Sequence, residues 1–278
     1  MRTDKANQLR SQIEASLDRL ANAIDGVRAS EMFQQFLAVQ ARFHAYSWRN
    51  TLLIAMQRPD ATRVAGYRTW QKLGRQVRKG EYGITICAPC PYRREAVQDN
   101  GNAETVEGIY FRAVHVFDVA QTDGEALPTI DLPTVDVVAD ALLSDLVRVA
   151  DSRGIAVSFQ ELSGSAFGVS KRGRIEIDNT HPTGQQAKTL SHELAHEALH
   201  WTAKESLTAT VAELEAESVA YVVCLHFGLD VEVRASRYIA LWNGDAKALK
   251  ASLHRITATA RTIIDDLESL RSGKGVAA

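Results

Sequence analysis

The sequence predicts an α+β chain of two modules: helices with a small sheet over residues 1–122, and helices with short strands over 135–278, joined by a linker at 123–134. Three observations carry this. Long segments at both ends place apolar residues at helical spacing, as in Leu9, Ile13, Leu17, Leu20 and Ile24. Short β-rich runs bounded by turn residues occur in each half. Between them, Ala120–Pro133 holds Thr122-Asp-Gly124, Pro128 and Pro133 and shows no period. Charge divides at the same place. Residues 1–120 carry 17 Lys/Arg against 12 Asp/Glu, a net of +5 in a chain whose total is −2.

The elements follow in order. Helices are expected over about 4–25, 30–46 and 50–57, the last ended by Pro59. Gly66 to Gly74 reads as a short helix closed by glycine. Ile84–Ala88 and Gly108–Asp118 read as strands, with a hairpin-type loop over 96–107 around Asn100-Gly101. Beyond the linker come a helix over about 135–153, strands at 155–159 and 173–177, and helices to about residue 272. Arg174-Ile-Glu-Ile-Asp178 alternates as a half-exposed strand does, and is expected to offer its edge to an extended peptide.

Composition narrows the class. The 45% hydrophobic and 24% charged content is that of a globular chain, and no apolar run approaches ~20 residues. The expectation is therefore no membrane span. The first residues have no apolar core of a secretory signal, and with three Cys the expected setting is a reducing cytoplasm. Cys87-Ala-Pro-Cys90 has no second pair; it reads as a strand end entering a proline turn, with incidental thiols.

The densest chemistry is in Thr189-Leu-Ser-His-Glu-Leu-Ala-His-Glu-Ala-Leu-His-Trp201. His192 and His196 stand four apart, hence on one helix face, and can share a Zn²⁺ ion. Glu193 is placed as general base toward water at that metal. A third protein ligand is needed. Glu213 and Glu217 share a face of the next helical segment, and Glu215 points elsewhere. We assign Glu213 as ligand and Glu217 as acceptor for a ligand imidazole N–H; the reverse assignment is the alternative. His200 lies ~12 Å along the axis from His192, too far to share the ion.

Residues 42–79 hold nine basic side chains against Asp60 alone. Such a run reads either as a solvated face or as a phosphate-attracting surface. Interleaved Phe43, Tyr46, Trp48, Tyr67, Trp70 and Tyr82 favour single-stranded nucleic acid, where rings stack on unpaired bases. Against this, Trp48 and Trp70 can equally be core residues.

Together the modules resemble the ArdC family of plasmid-encoded antirestriction proteins. The likeness rests on Trp48-Arg-Asn-Thr-Leu-Leu-Ile54, on Ala65 to Gly83, on Val116-Phe-Asp-Val-Ala-Gln-Thr122, and on Ser191-His-Glu-Leu-Ala-His196 with Glu213-Leu-Glu-Ala-Glu217. It implies an N-terminal domain that binds single-stranded DNA and a C-terminal zincin-like metallopeptidase module similar to the ImmA/IrrE peptidases. In those, the Glu of a Glu-x-x-Ala-Asn pattern completes the zinc site; here Glu217 replaces the Asn. The candidate DNA contacts are Arg49, Tyr67, Arg68, Trp70, Lys72, Arg75, Arg78 and Lys79. The implied role is protection of incoming conjugative plasmid DNA from host restriction, with a protein or peptide substrate for the zinc site. Alternatives are a DNA-binding shield with a non-catalytic zinc, and a DNA-activated peptidase acting on DNA-bound proteins.

Overall fold

A computed structural model describes residues 2–22, 26–97, 103–127, 135–163, 166–199, 208–231 and 245–273. It forms two compact units. One comprises residues 1–16 and 49–127; the other comprises 17–48 and 128–278. The expected cut at residue 122 thus misses an exchange. Residues 17–48 group with the C-terminal half because helix α2 (Gly26–Arg42) packs on helix α7 (Ala209–His226). Its apolar face, with Phe33, Phe36 and Leu37, is fully buried.

In the first unit, the initial turns of α1 (Arg2–Ala21) accompany α3 (Trp48–Gln57), strand β1 (Val64–Gly66) and α4 (Tyr67–Lys72). Strands β2 (Arg75–Val77), β3 (Ile84–Val97), β4 (Ala103–Asp118) and β5 (Thr122–Gly124) follow. Order β1-β4-β3 makes one antiparallel sheet, and β2 pairs with β5. β5 lies inside the expected linker, and Arg75 holds it: its guanidinium donates to Thr122 Oγ1 at 2.8 Å and to the Thr122 carbonyl at 2.9 Å.

The β3–β4 hairpin corrects the expected end at Ala88. β3 runs nine residues further, through Pro89 and Pro91. The reason lies in strand parity. The backbone of Thr85 and Cys87 faces away from β4 and is bonded by the Gln57 and Asn50 amides at 2.9 Å. Pro89 and Pro91 share that outward parity, so their missing N–H groups cost the ladder nothing. Cys87 and Cys90, three apart on a strand, fall on opposite faces, which excludes a disulfide or shared metal between them. Asn100 and Gly101 lie outside the described residues.

Asp118 closes this unit. It accepts from the backbone N–H groups of Thr62 (2.8 Å), Arg63 (3.0 Å) and Ala120 (2.9 Å), and forms a capping box with Gln121. Beside it, the Trp70 indole donates to the Phe117 carbonyl at 2.9 Å.

In the second unit, α5 (Val135–Ser152) precedes β6 (Ala156–Gln160), β7 (Gly168–Ser170) and β8 (Arg174–Asp178), then α6 (Thr183–Leu199), α7 and α8 (Ala246–Arg271). The core joins Leu142, Leu146 and Val149 of α5 to Ile175 and Ile177 of β8, Leu190 and Leu194 of α6, and Val219 and Val223 of α7. The sheet order is β6-β8-β7, with β8 parallel to β6 and antiparallel to β7. β8 is therefore central, and the expected offer of its edge to a peptide is overturned. Its acidic side chains are buried yet satisfied. Glu176 receives Lys171 Nζ at 2.9 Å, and Asp178 receives the Thr180 N–H at 2.9 Å and hydroxyl at 2.7 Å.

Candidate metal centre and basic surface

Helix α6 presents His192 and His196 one turn apart, and Glu213 reaches them from the second turn of α7. The two imidazole Nε2 atoms are 3.0 Å apart. Glu213 places one carboxylate oxygen 3.4 Å from His192 Nε2 and the other 3.3 Å from His196 Nε2. A tetrahedral ion with bonds of ~2.0–2.1 Å separates its ligands by about 3.3–3.4 Å. The separations between neighbouring donors are of that order, and the donor set of two imidazoles and one carboxylate fits Zn²⁺.

The surroundings hold the triad in place. Glu217, one turn after Glu213, approaches His192 Nδ1 at 3.6 Å with one oxygen, while Lys188 Nζ holds the other at 2.7 Å. His192 Nδ1 is buried without a closer hydrogen-bond partner. Burial pulls the His192 imidazole down, but the Glu213 and Glu217 carboxylates outweigh it and lift it to about 9. The bonds from His192 and His196 hold Glu213 well below the carboxylate range. These opposed shifts show a site that concentrates negative charge around the two imidazoles.

Glu193 lies on the inner side of α6, buried, and burial pushes its carboxyl up. The backbone N–H of Ser170 donates to it. β7 comes close because Gly168 carries no side chain: a Cβ there would stand 2.5 Å from Thr189 Cγ2. One turn along α6, Glu197 accepts from the Ser170 hydroxyl and from the Gly173 N–H, the latter at 2.9 Å. Glu215, on the opposite face of α7 from the triad, is fully buried against α8. Its oxygens receive Arg255 Nη2 at 2.6 Å, Arg255 Nε at 2.9 Å and the Ser252 hydroxyl at 2.6 Å.

His192, His196, Glu213, Glu193 and Glu217 thus converge as the spacing predicts. Lys188, Ser170, Glu197 and Arg255 were not singled out. Of these, only Lys188 left a sequence signal, standing four residues before His192. His200 and Trp201 lie outside the described residues.

The basic candidates divide. Arg49, Arg68, Lys72 and Lys79 are exposed on the first unit. Arg75 instead ties β2 to β5. Arg78 is held by Glu81 at 2.7 Å and Asp123 at 3.3 Å, which neutralises it locally. Trp70 is 2% exposed, so its expected base contact gives way to a core role, as for Trp48 and Phe43. Tyr82 is 92% exposed. Tyr67, Arg78 and Lys79 line an open cavity of ≈ 670 Å³ with Gln76, Val77, Glu81, Phe117 and Asp123. A second surface was not foreseen. Tyr92, Ile109, Tyr110 and Phe111 are all exposed on the β3–β4 ribbon, with the Arg10 guanidinium 6.0 Å above the Phe111 ring.

Residues 3–117 match the sequence profile of the N-terminal domain of anti-restriction factor ArdC. An uncharacterised protein of Bacillus anthracis, pXO2-81, is 25% identical over 313 residues, which span 94% of this chain and 52% of that protein. The chain thus spans about half the length of the curated relative it matches. Two crystal structures of the antirestriction ArdC protein from plasmid R388 share the fold. The metal-free form gives a TM-score of 0.54 at 21% identity, covering 82% of this chain and 86% of that one. The Mn(II)-bound form gives 0.50 at 20% identity, covering 81% and 84%. Among the described residues, no helix is long and apolar enough to cross a membrane. The likeness to ArdC thus rests on the N-terminal segment by sequence and on a shared fold over most of the chain.

Proposed function

We propose that this chain is an antirestriction protein that binds single-stranded DNA through its first unit and hydrolyses peptide bonds at a metal centre in its second. The observation that carries the hydrolytic reading is the convergence of His192, His196 and Glu213, with Glu193 beside them. These three side chains would hold Zn²⁺. The ion would polarise the scissile carbonyl and acidify water at the site. Glu193 takes the proton of the attacking water as its oxygen adds to the carbonyl carbon, then returns that proton to the leaving amine nitrogen as the C–N bond breaks. The Ser170 N–H fixes the carboxylate for both transfers. β7, the edge strand lying on α6, would receive an extended substrate in place of β8.

Fold-level likeness to a protein crystallised both metal-free and with Mn(II) supports an exchangeable ion rather than one needed for folding. For DNA, the support is the exposed Arg49, Arg68, Lys72 and Lys79 and the exposed rings of the ribbon.

A second reading is a shield that protects by occupying DNA. It is favoured by the concentration of exposed cations and rings on the first unit. A restriction-protection assay separates the two. Glu193→Gln should keep the metal and lose both proteolysis and protection. A protein altered by Arg68→Glu, Lys72→Glu and Lys79→Glu should lose DNA binding. Full protection by Glu193→Gln would leave the shield alone standing.

A further inference from the structure

The second unit holds another set of metal-ligating side chains, remote in sequence from the first. His44 follows the end of α2, His226 closes α7, and Asp265 and Glu268 lie one turn apart on α8. One donor atom each from His44, His226 and Glu268 lie within 4.8 Å of one another. Glu268 reaches His226 Nε2 at 3.1 Å and His44 Nε2 at 4.0 Å, and Asp265 stands 3.7 Å from His44 Nε2.

Hydrogen bonding fixes the orientation of His226 in this cluster. His226 Nδ1 lies 2.8 Å from the Ala41 carbonyl, which can only accept, so Nδ1 carries the proton. In the neutral ring, Nε2 then turns a lone pair toward the Glu268 oxygen. A cation shared by the two atoms, a proton or a metal ion, satisfies both. A backbone carbonyl that fixes one imidazole nitrogen while the other faces a carboxylate is the arrangement that orients histidine ligands at metals. The His226 ring is further fixed by edge packing on Phe227, at 4.8 Å between centroids. His44 adds a second imidazole, its ring centroid 4.5 Å from that of His226. Arg261, 3.4 Å from Asp265, offsets that carboxylate, which leaves Glu268 to balance the ion.

We propose that His44, His226 and Glu268 form a second divalent transition-metal site, with Asp265 available as a fourth ligand. Two imidazoles with carboxylate oxygens suit zinc-like ions over calcium or magnesium. Such an ion would tie the end of α2 to α7 and α8. This site does not depend on the hydrolytic reading.

The test is Zn²⁺ titration of the chelator-stripped full chain by calorimetry, with metal content measured after desalting. Wild type should take up two equivalents. His192→Ala/His196→Ala should retain one equivalent, and adding His226→Gln to it should abolish that one. Glu268→Gln, at a half-exposed position, should weaken this binding by about tenfold or more with an unchanged far-ultraviolet dichroism spectrum. The site is overturned if His192→Ala/His196→Ala holds no zinc, or if neither His226→Gln nor Glu268→Gln alters what it holds. If wild type itself takes up only one equivalent, unchanged in His192→Ala/His196→Ala and abolished by His226→Gln, the hydrolytic centre falls and this site stands.

Discussion

Replacing Glu215 by Ala tests whether the metal triad depends on a buried ion pair behind it. Glu215 is 0% exposed, and three donor atoms of Arg255 and Ser252 hold its two oxygens at 2.6–2.9 Å. The pair fixes the rotation of α7 against α8 and so aims Glu213 and Glu217 at α6. Removing the carboxylate leaves the mostly buried Arg255 guanidinium without its counter-charge. Breaking a buried pair from one side costs about 3–5 kcal/mol, a large share of the ~5–15 kcal/mol that holds a domain. Glu215→Met with Arg255→Met removes both charges and should recover most of that loss, because apolar replacements of similar volume often match a buried pair. Urea unfolding, followed by tryptophan fluorescence and far-ultraviolet dichroism, gives the stabilities of Glu215→Ala, of the singles Glu215→Met and Arg255→Met, and of the double variant. Metal titration of the same proteins gives their affinities. The argument fails if Glu215→Ala loses under ~1 kcal/mol, the range of an exposed pair, or if the double variant is as unstable as the sum of its singles. It also fails if Glu215→Ala binds metal as tightly as wild type, since α7 would then keep its rotation without the clamp.

Three further outcomes are expected. Burial pushes the Cys224 thiol up to about 12 and also raises Cys87, so iodoacetamide at pH 8 should label Cys87 slowly and Cys224 only after denaturation. Tyr110→Ala and Phe111→Ala should each weaken binding of an oligothymidylate by roughly 1–3 kcal/mol in fluorescence anisotropy if the ribbon stacks on bases, and unchanged affinity would remove the ribbon from the interface. The Lys171 hydrogen bond holds Glu176 below its ordinary 4.5, so its contribution is present above that pH and is lost as pH falls through the lowered folded value. Lys171→Met should therefore flatten the fall of stability below pH 4.5, measured by urea midpoints across the acid range.

The legible and illegible parts of this molecule separate by the reach of the signal. His192 and His196 announce themselves because a four-residue spacing and a helix face are the same fact. The choice of Glu213 and Glu217 over Glu215 follows from the same geometry one helix later. The destination of Glu215 did not follow, because its partner Arg255 is 40 residues away and nothing local marks the pair. The same holds for His44 and His226, which only the packing of α2 on α7 brings together. Elsewhere a local rule gave the wrong sign. Pro89 and Pro91 looked like the end of a strand, yet the amide groups of Gln57 and Asn50 reveal a parity in which neither proline owes the ladder a hydrogen bond. Arg174-Ile-Glu-Ile-Asp178 looked half-exposed because alternation counts side-chain polarity, whereas burial counts satisfied polarity. Lys171 and Thr180 supply what Glu176 and Asp178 need, and β8 can then occupy the centre of its sheet. That shift has a functional consequence. With β8 enclosed, the proposed peptide edge passes to β7, which is three residues long and too short to show a period. The absent side chain of Gly168 is what lets β7 lie on α6 and bring the Ser170 N–H to Glu193.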